Sequence, residues 1–326
     1  MVEVDIERYD PNKEVDWDLF VESSNGGTLF HRLDFLAYHG ERFKDSEHHL
    51  VFYKKEKVLG LMPMAIISDT GSKICKSPYG GSYGGPIFRR PLNYADSREV
   101  IEALIGYVSK LGAGALVMTL PIWPCYVHYS DTFQFVLMET GFKCVNRDIS
   151  SVICLEPDAA LYKQLGSRLS NLARKSRRAE KEGVKVVHRA GLNDLWKVME
   201  VTYSKHGVRP THSRKELEWL MEKFPDNIYC DIAYLEGLPI AAVMFFVVNG
   251  RLICSFYLLQ DPYFRKTQAL TCLLYSAILR AQNDGFKWLD LGTSSVGMKA
   301  RPNVFRFKEG FGAIGVFRET YEYTFA

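Results

Sequence analysis

Near the end of the chain, Asn303-Val304-Phe305-Arg306-Phe307-Lys308-Glu309-Gly310-Phe311-Gly312-Ala313 spaces Phe305, Lys308 and Phe311 three residues apart. On a helix that spacing gathers them on one face, so a cation sits in an otherwise apolar stripe. A lysine held in this way can grip a carboxylate, or polarise an acyl oxygen while charge develops on it. The plainer alternative is a lysine that snorkels into water along its stem. Shortly before it, in Asp290-Leu291-Gly292-Thr293-Ser294-Ser295, Asp290 is a candidate general base, with capping of a strand end as the structural alternative.

A second chemistry-bearing run lies between Lys163 and Lys181, with Arg168, Arg174, Lys175, Arg177, Arg178 and Lys181 opposed inside it by Glu180. Helical spacing puts Arg168, Lys175 and Arg178 on one face and Arg174, Arg177 and Lys181 on the next. Guanidinium forks suit phosphates, so a nucleotide diphosphate or an RNA backbone fits this stripe; a solvated helix face is the bland alternative. A third run, Ser77-Pro78-Tyr79-Gly80-Gly81-Ser82-Tyr83-Gly84-Gly85-Pro86, combines backbone freedom with two tyrosines that could line a ligand site, or it is a bulged crossing between strand and helix. It matches no Walker or dinucleotide fingerprint. The histidines form no metal pattern, and no serine or cysteine nucleophile is argued by spacing. Direct attack by a bound amine is therefore favoured over covalent or metal chemistry.

Elements that could position these groups follow from periodicity. In the first half, helical pattern at Trp17–Val21 and Leu33–Tyr38 precedes a hairpin of His49–Lys54 and Val58–Ile67 turned at Lys54-Lys55-Glu56-Lys57. The glycine loop, a helix Ser97–Leu111, a strand Ala115–Leu120, a short helix near Phe133–Thr140 and a strand Asp148–Leu155 complete it. After extra helices between Asp158 and Phe224, the second half repeats the order: strands Ile228–Tyr234, Ile240–Val247 and Leu252–Leu259, an irregular Gln260–Lys266, a helix Thr267–Asn283, a strand Phe286–Leu291, a short helix Val304–Glu309 and a strand Phe317–Thr324. Glu139-Thr140-Gly141-Phe142 and Lys308-Glu309-Gly310-Phe311 even share letters at the breaks. The pattern indicates a duplicated α/β unit, divided into 1–156 and 157–326, with a substrate cleft expected between the halves.

A chain of 326 residues with 47% hydrophobic content is long enough for two such cores. The longest apolar stretch, Leu238–Val248, is about 11 residues against the ~20 of a membrane helix, so no transmembrane segment is expected. The N-terminal residues lack a basic n-region and an apolar h-region, which suggests a cytoplasmic protein. Seven cysteines without a C-x-x-C pair point to neither a disulfide framework nor a zinc site. A net charge of +3 does not by itself mark a nucleic-acid binder.

Phe307-Lys308-Glu309-Gly310-Phe311-Gly312-Ala313 and the helix end Arg174-Lys175-Ser176-Arg177-Arg178-Ala179-Glu180-Lys181-Glu182-Gly183-Val184, with Tyr83-Gly84-Gly85-Pro86 and Leu289-Asp290-Leu291-Gly292, resemble the FemAB/FemX family and its FemAB-like GNAT relatives. The resemblance covers most of the chain. It implies an α/β (α+β) fold of two tandem GNAT-like domains, each a mixed, mostly antiparallel twisted sheet flanked by helices. It further implies an N-acyltransferase, of the arm-less FemX-like kind, that moves an aminoacyl group from aminoacyl-tRNA to an amine of a peptidoglycan or other surface-polymer precursor, without a resident cofactor and with peripheral contact at the inner membrane face. Lys308 and Asp290 would then be catalytic; Phe307, Arg306, Arg174, Arg177 and Arg178 would meet the donor; and Tyr79, Tyr83, Gly84, Gly85, Arg209 and His39 would hold the acceptor. Family members often carry glutamine, tryptophan and lysine spaced by four in the first domain, where this chain has His31, Phe35 and His39. The loop Asp261–Leu270, where GNAT enzymes cradle the acyl-CoA pyrophosphate, lacks glycine, which makes acyl-CoA the second choice of donor. An RNA-binding protein without catalysis is the alternative from another class.

Overall fold

The computed structural model describes residues 4–13, 15–69, 71–204 and 209–325, which divide into two compact units, Met1–Ile149 with Phe317–Ala326 and Ser150–Val316. The first half of the chain runs β1 (Val4–Arg8), α1 (Trp17–Glu22), α2 (Leu33–Leu36), β2 (Leu50–Lys54), β3 (Lys57–Met62), β4 (Ala65–Asp69), β5 (Ser72–Ser77), β6 (Ile87–Phe88), α3 (Tyr94–Lys110), β7 (Ala115–Thr119), α4 (Thr132–Glu139) and β8 (Lys143–Cys154). The expected strand Val58–Ile67 is interrupted: Pro63 has no N–H for a ladder, and β3 stops before it while β4 begins a new hairpin with β5. In the first unit β1, β2, β3 and β6 form one antiparallel sheet. In a second sheet β5 pairs parallel with β7, the two being joined through α3.

Helix α3 forms where the sequence supplies both cap and stripe. Asn93 accepts the Asp96 N–H at 2.8 Å, and Val100, Ile101, Leu104 and Val108 recur on one buried face against Leu116 and Met118 of β7. A smaller core gathers Trp17, Phe20 and Val21 of α1 against Val51, Leu61 and Ile87.

The rest of the chain runs α5 (Ala160–Lys181), β9 (Lys185–Ala190), α6 (Leu192–Ser204), α7 (Arg214–Lys223), β10 (Ile228–Leu235), β11 (Leu238–Val247), β12 (Leu252–Gln260), α8 (Ala269–Asn283), β13 (Trp288–Thr293), the small hairpin of β14 (Ser295–Val296) and β15 (Lys299–Ala300), α9 (Pro302–Glu309) and β16 (Ile314–Thr324). Strand β9, inside the stretch expected to be helical, pairs antiparallel with β10. Within the second unit the ladder runs from the end of β8 through β13, β12, β11 and β10 to β9, with β12 and β13 parallel and the other pairs antiparallel.

The expected repeat appears as a shared strand, helix and parallel strand: β5, α3 and β7 in the first unit, β12, α8 and β13 in the second. The strands closing the two halves are exchanged relative to that order. Ser150–Cys154 of β8 pair with β13, whereas Thr320–Thr324 of β16 pair with β7 and belong to the first unit. A division at 156/157 by chain order therefore differs from the compact units at both closing strands. No helix among the described residues is long and apolar enough to cross a membrane.

Candidate active site in the second unit

Lys308 owes its position to a short helix with a firm start and stop. Pro302 occupies the first turn of α9, where its missing N–H costs nothing, and the Phe311 N–H returns to the Lys308 carbonyl at 2.9 Å to close the last turn. The stripe read from the sequence faces inward, and Lys308 is only 4% exposed. Its Nζ donates to the carbonyls of Gly292 at 2.7 Å and Thr293 at 2.8 Å, so it does not snorkel into water.

The carbonyls reach the ammonium because the end of β13 turns there. Gly292 has a φ of +77°, a conformation strained for any residue with a Cβ. Asp290, buried two residues earlier, fixes that turn: its Oδ1 accepts the Gly292 N–H at 2.7 Å, and the Ser255 hydroxyl donates to its backbone carbonyl at 3.3 Å. Burial pulls the Lys308 ammonium down from 10.5 to about 8. The charges of Asp290 and Cys254 resist that fall, and Arg301 adds to it. The site thus holds a lysine cationic below about pH 8, tied on one side to carbonyl dipoles.

Lys308 lines a cavity of about 1070 Å³ within the second unit. Its walls come from Leu172 and Lys175 of α5, Thr202 and Tyr203 at the end of α6, Ser255, Phe256 and Leu258 of β12, Leu291–Thr293 of β13, and α9 with the residues that lead into it. Pro262 and Arg265 contribute from the turn before α8, and Gln268, Leu270 and Thr271 from its start. The charged side chains among the described lining residues are Lys175, Arg265, Arg301, Arg306 and Lys308, all cations. Such a cavity is matched electrostatically to a ligand with several negative charges. Gln268 takes the left-handed conformation at φ +59°, and the amides of Leu270 and Thr271 fall in the first turn of α8, ahead of the first intrahelical acceptor.

Of the residues singled out in the sequence, Lys308, Phe307 and Arg306 come together on this cavity, with Asp290 behind Lys308 and outside the lining. Asp290 stands as a positioning group for the turn and not at the cavity surface where a base would meet an incoming amine. Arg174, Arg177 and Arg178 are exposed on α5 and do not line it. Arg174 donates to Asn171 Oδ1 at 3.0 Å, Arg177 to the Ala173 carbonyl at 3.3 Å and Arg178 to Glu182 at 2.8 Å. Among the described side chains of α5, Lys175 is the cation that lines the cavity, because it neighbours the buried positions Leu172, Ser176 and Ala179. Arg168, on that same side, donates to the Glu309 carbonyl at the end of α9. Arg209 is exposed, and residues 205–208 before it lie outside the described residues.

Tyr79, Tyr83, Gly84, Gly85 and His39 belong to the first unit, where they brace the glycine loop from within. The Tyr79 hydroxyl donates to Glu47 Oε1 at 3.1 Å, Arg318 stacks over the buried Tyr83 ring at 5.1 Å, and the Tyr38 hydroxyl donates to the Gly80 carbonyl at 2.7 Å. His39 Nε2 lies 3.4 Å from that same carbonyl. A Cβ on Gly84 would come within 2.4 Å of the Pro78 nitrogen, so this glycine answers to close backbone approach. The sequence did not disclose Arg265 and Arg301, because exposed arginines in turns read as solvated; the acid-free run from Leu291 to Lys308 hinted at Arg301 alone.

Residues 166–308 match the family model described as an acetyltransferase (GNAT) domain, a span that carries most of the cavity wall. The chain is a GNAT-fold acyltransferase. A crystal structure of FemX superposes with a TM-score of 0.71 at 13% identity, covering 98% of this chain and 97% of that one. The structure of L-PGS from Bacillus licheniformis gives 0.57 at 14% identity over 97% and 92%. A tandem GNAT protein from the clavulanic acid biosynthesis pathway gives 0.54 at 9% identity over 99% and 98%. At these identities the likeness is one of fold, and it bears out the FemX-like, tandem GNAT fold expected from the motifs. No curated protein matches the sequence of this acyltransferase.

Proposed function

We propose that this acyltransferase moves an aminoacyl group from aminoacyl-tRNA onto an amine of a cell-wall or other surface-polymer precursor. The observation that carries the reading is the all-cationic cavity of the GNAT unit with a buried lysine in its wall. A donor whose reactive ester hangs from a phosphodiester strand suits that arrangement: the carbonyl carbon goes beside Lys308, and the phosphates go to Arg265, Arg301, Arg306 and Lys175. The exposed Arg174 and Arg177 of α5 would extend contact along the RNA backbone, with Arg178 free to join once it leaves Glu182, and Arg209 would take a phosphate of the acceptor.

The acceptor amine attacks the ester carbonyl; the C–N bond forms, the C–O bond breaks, and the ribose oxygen leaves with the proton lost by the amine. While the tetrahedral oxygen is negative, the Lys308 ammonium donates to it. A donor of this kind is worth about 10²–10³ in rate. Alignment supplies much of the remainder, since an activated ester and a free amine require mainly proximity and proton removal.

A specific feature favours one second reading, in which acyl-CoA is the donor. The first-turn amides of α8, after the left-handed Gln268, can meet a pyrophosphate even though the loop has no glycine. Single-turnover transfer separates the two: each labelled aminoacyl-tRNA is compared with labelled acetyl-CoA, with cell-wall precursors as acceptors. Label moving from an aminoacyl-tRNA, and failing to move with Lys308→Ala, supports the first reading. Label moving from acetyl-CoA alone supports the second.

A further inference from the structure

We propose that the mouth of the cavity docks on an anionic lipid surface through the tip of the β14–β15 hairpin and the turn before α8. The hairpin reverses at Gly297 and Met298, both with positive φ, and its tip holds Val296 51% exposed and Met298 61% exposed. Tyr263, in the turn before α8, is 91% exposed. Each apolar tip stands beside a cation that the cavity does not use: Lys299 follows Met298, and Lys266 follows the lining residue Arg265. The chain from Leu291 to Lys308 contains no carboxylate to offset Lys299, while the turn of Lys266 carries Asp261 at its start, its side chain engaged by the Tyr263 N–H. Both segments lead directly into the cavity wall, at Pro262 and Arg265 on one side and Arg301 and Asn303 on the other.

An aliphatic hairpin tip followed by a lysine, and a separate turn with an exposed tyrosine and a lysine of its own, match the layered chemistry of a headgroup region: apolar side chains sink past the phosphates, tyrosine stays at their level, and lysines meet the anionic charge. An RNA backbone would satisfy the lysines but leave Val296 and Met298 in water, since nucleotides are held by phosphate contacts and aromatic stacking. The observations therefore favour lipid. The proposal draws its purpose from the acyl-transfer reading, because a lipid-carried acceptor would arrive at the mouth, but the docking can be measured without turnover.

The test is cosedimentation of the full chain with phosphatidylcholine vesicles, with and without phosphatidylglycerol, at low and high salt. Binding to the anionic vesicles is expected to exceed binding to the neutral ones by about tenfold and to weaken with salt. Val296→Asp combined with Met298→Asp should cut it about fivefold, with melting temperature and transfer to a water-soluble acceptor unchanged; aspartate tolerates the left-handed turn. Lys266→Glu with Lys299→Glu, on the other face of the same argument, should give a similar loss. Equal binding to both vesicles, no binding to either, or anionic binding that survives both double variants would overturn the proposal. Binding that RNA displaces and the aspartates leave intact would assign the surface to RNA. Vesicle binding that holds while no donor transfers label would leave the docking standing and remove the functional reading instead.

Discussion

Lys308 concentrates two consequences of one burial. As a donor to a developing oxyanion it must be charged, so Lys308→Met should lower single-turnover transfer by about 10²–10³ while leaving donor binding within a few-fold. With its ammonium pulled down to about 8, the lysine-dependent part of the rate should fall as pH rises through 8, and a rate that keeps climbing with amine deprotonation to pH 10 would refute the oxyanion role. The same shift acts on stability. The unfolded chain holds this proton up to 10.5 and the folded chain only to about 8, so between those values unfolding takes up a proton and stability rises with pH. Below 8 the cost of the buried charge is present in full, about 3 kcal/mol from the shift. Denaturant midpoints of the native protein and Lys308→Met should accordingly converge or cross in favour of the native lysine between pH 8 and pH 10. Parallel curves would mean that the side chain is more hydrated than its burial indicates.

At the scale of elements, the site depends on turns more than on helices. Gly292→Ala places a Cβ at φ +77°, which costs about 1 kcal/mol or more and disturbs the carbonyls that hold the ammonium. Transfer should drop further than thermal stability would account for, and a variant that melts early but turns over normally would show that the carbonyl grip is dispensable. Arg265→Ala and Arg301→Ala should each weaken donor binding and flatten its dependence on salt by about one charge, read from binding titrations at several ionic strengths. These elements also mark how far the sequence could be read. Lys308 was legible because a cation in an apolar stripe breaks the helical period; α3 and β12 were legible because their periods are clean, and β10 and β11 because they are apolar runs flanking the turn at Glu236-Gly237. Arg265 and Arg301 were not: a cavity wall assembled from a turn and a hairpin end has no period along the chain. Tyr79 and Tyr83 looked like ligand-facing aromatics because a glycine loop is open in sequence, yet their rings fill the space beneath it.

For the whole molecule, the repeat is visible in the chain while the exchange of closing strands is not, since pairing partners far apart in sequence leave no local signature. Thr320–Thr324 align with Ala115–Thr119, and Tyr321, 1% exposed, joins the core of the first unit with Val100, Leu104 and Met118. Its hydroxyl donates to Glu319 at 2.8 Å, so both its ring and its polar tip are satisfied there. The second unit has its own core, in which α8 packs with residues of β11 and β13 and with Phe311. Tyr321→Ala should therefore destabilise by about 3–5 kcal/mol, the range for deleting a large buried aromatic. Although the substitution lies at the end of the chain, beyond the GNAT match, the loss should be felt at its beginning. Hydrogen exchange should show amides of β5, β7 and α3 losing protection while those of β11, β12 and α8 keep theirs. Protection lost equally in both sets would mean that the two units unfold as one cooperative body, and protection lost mainly in the second set would place the closing strand with the half of the chain that precedes it.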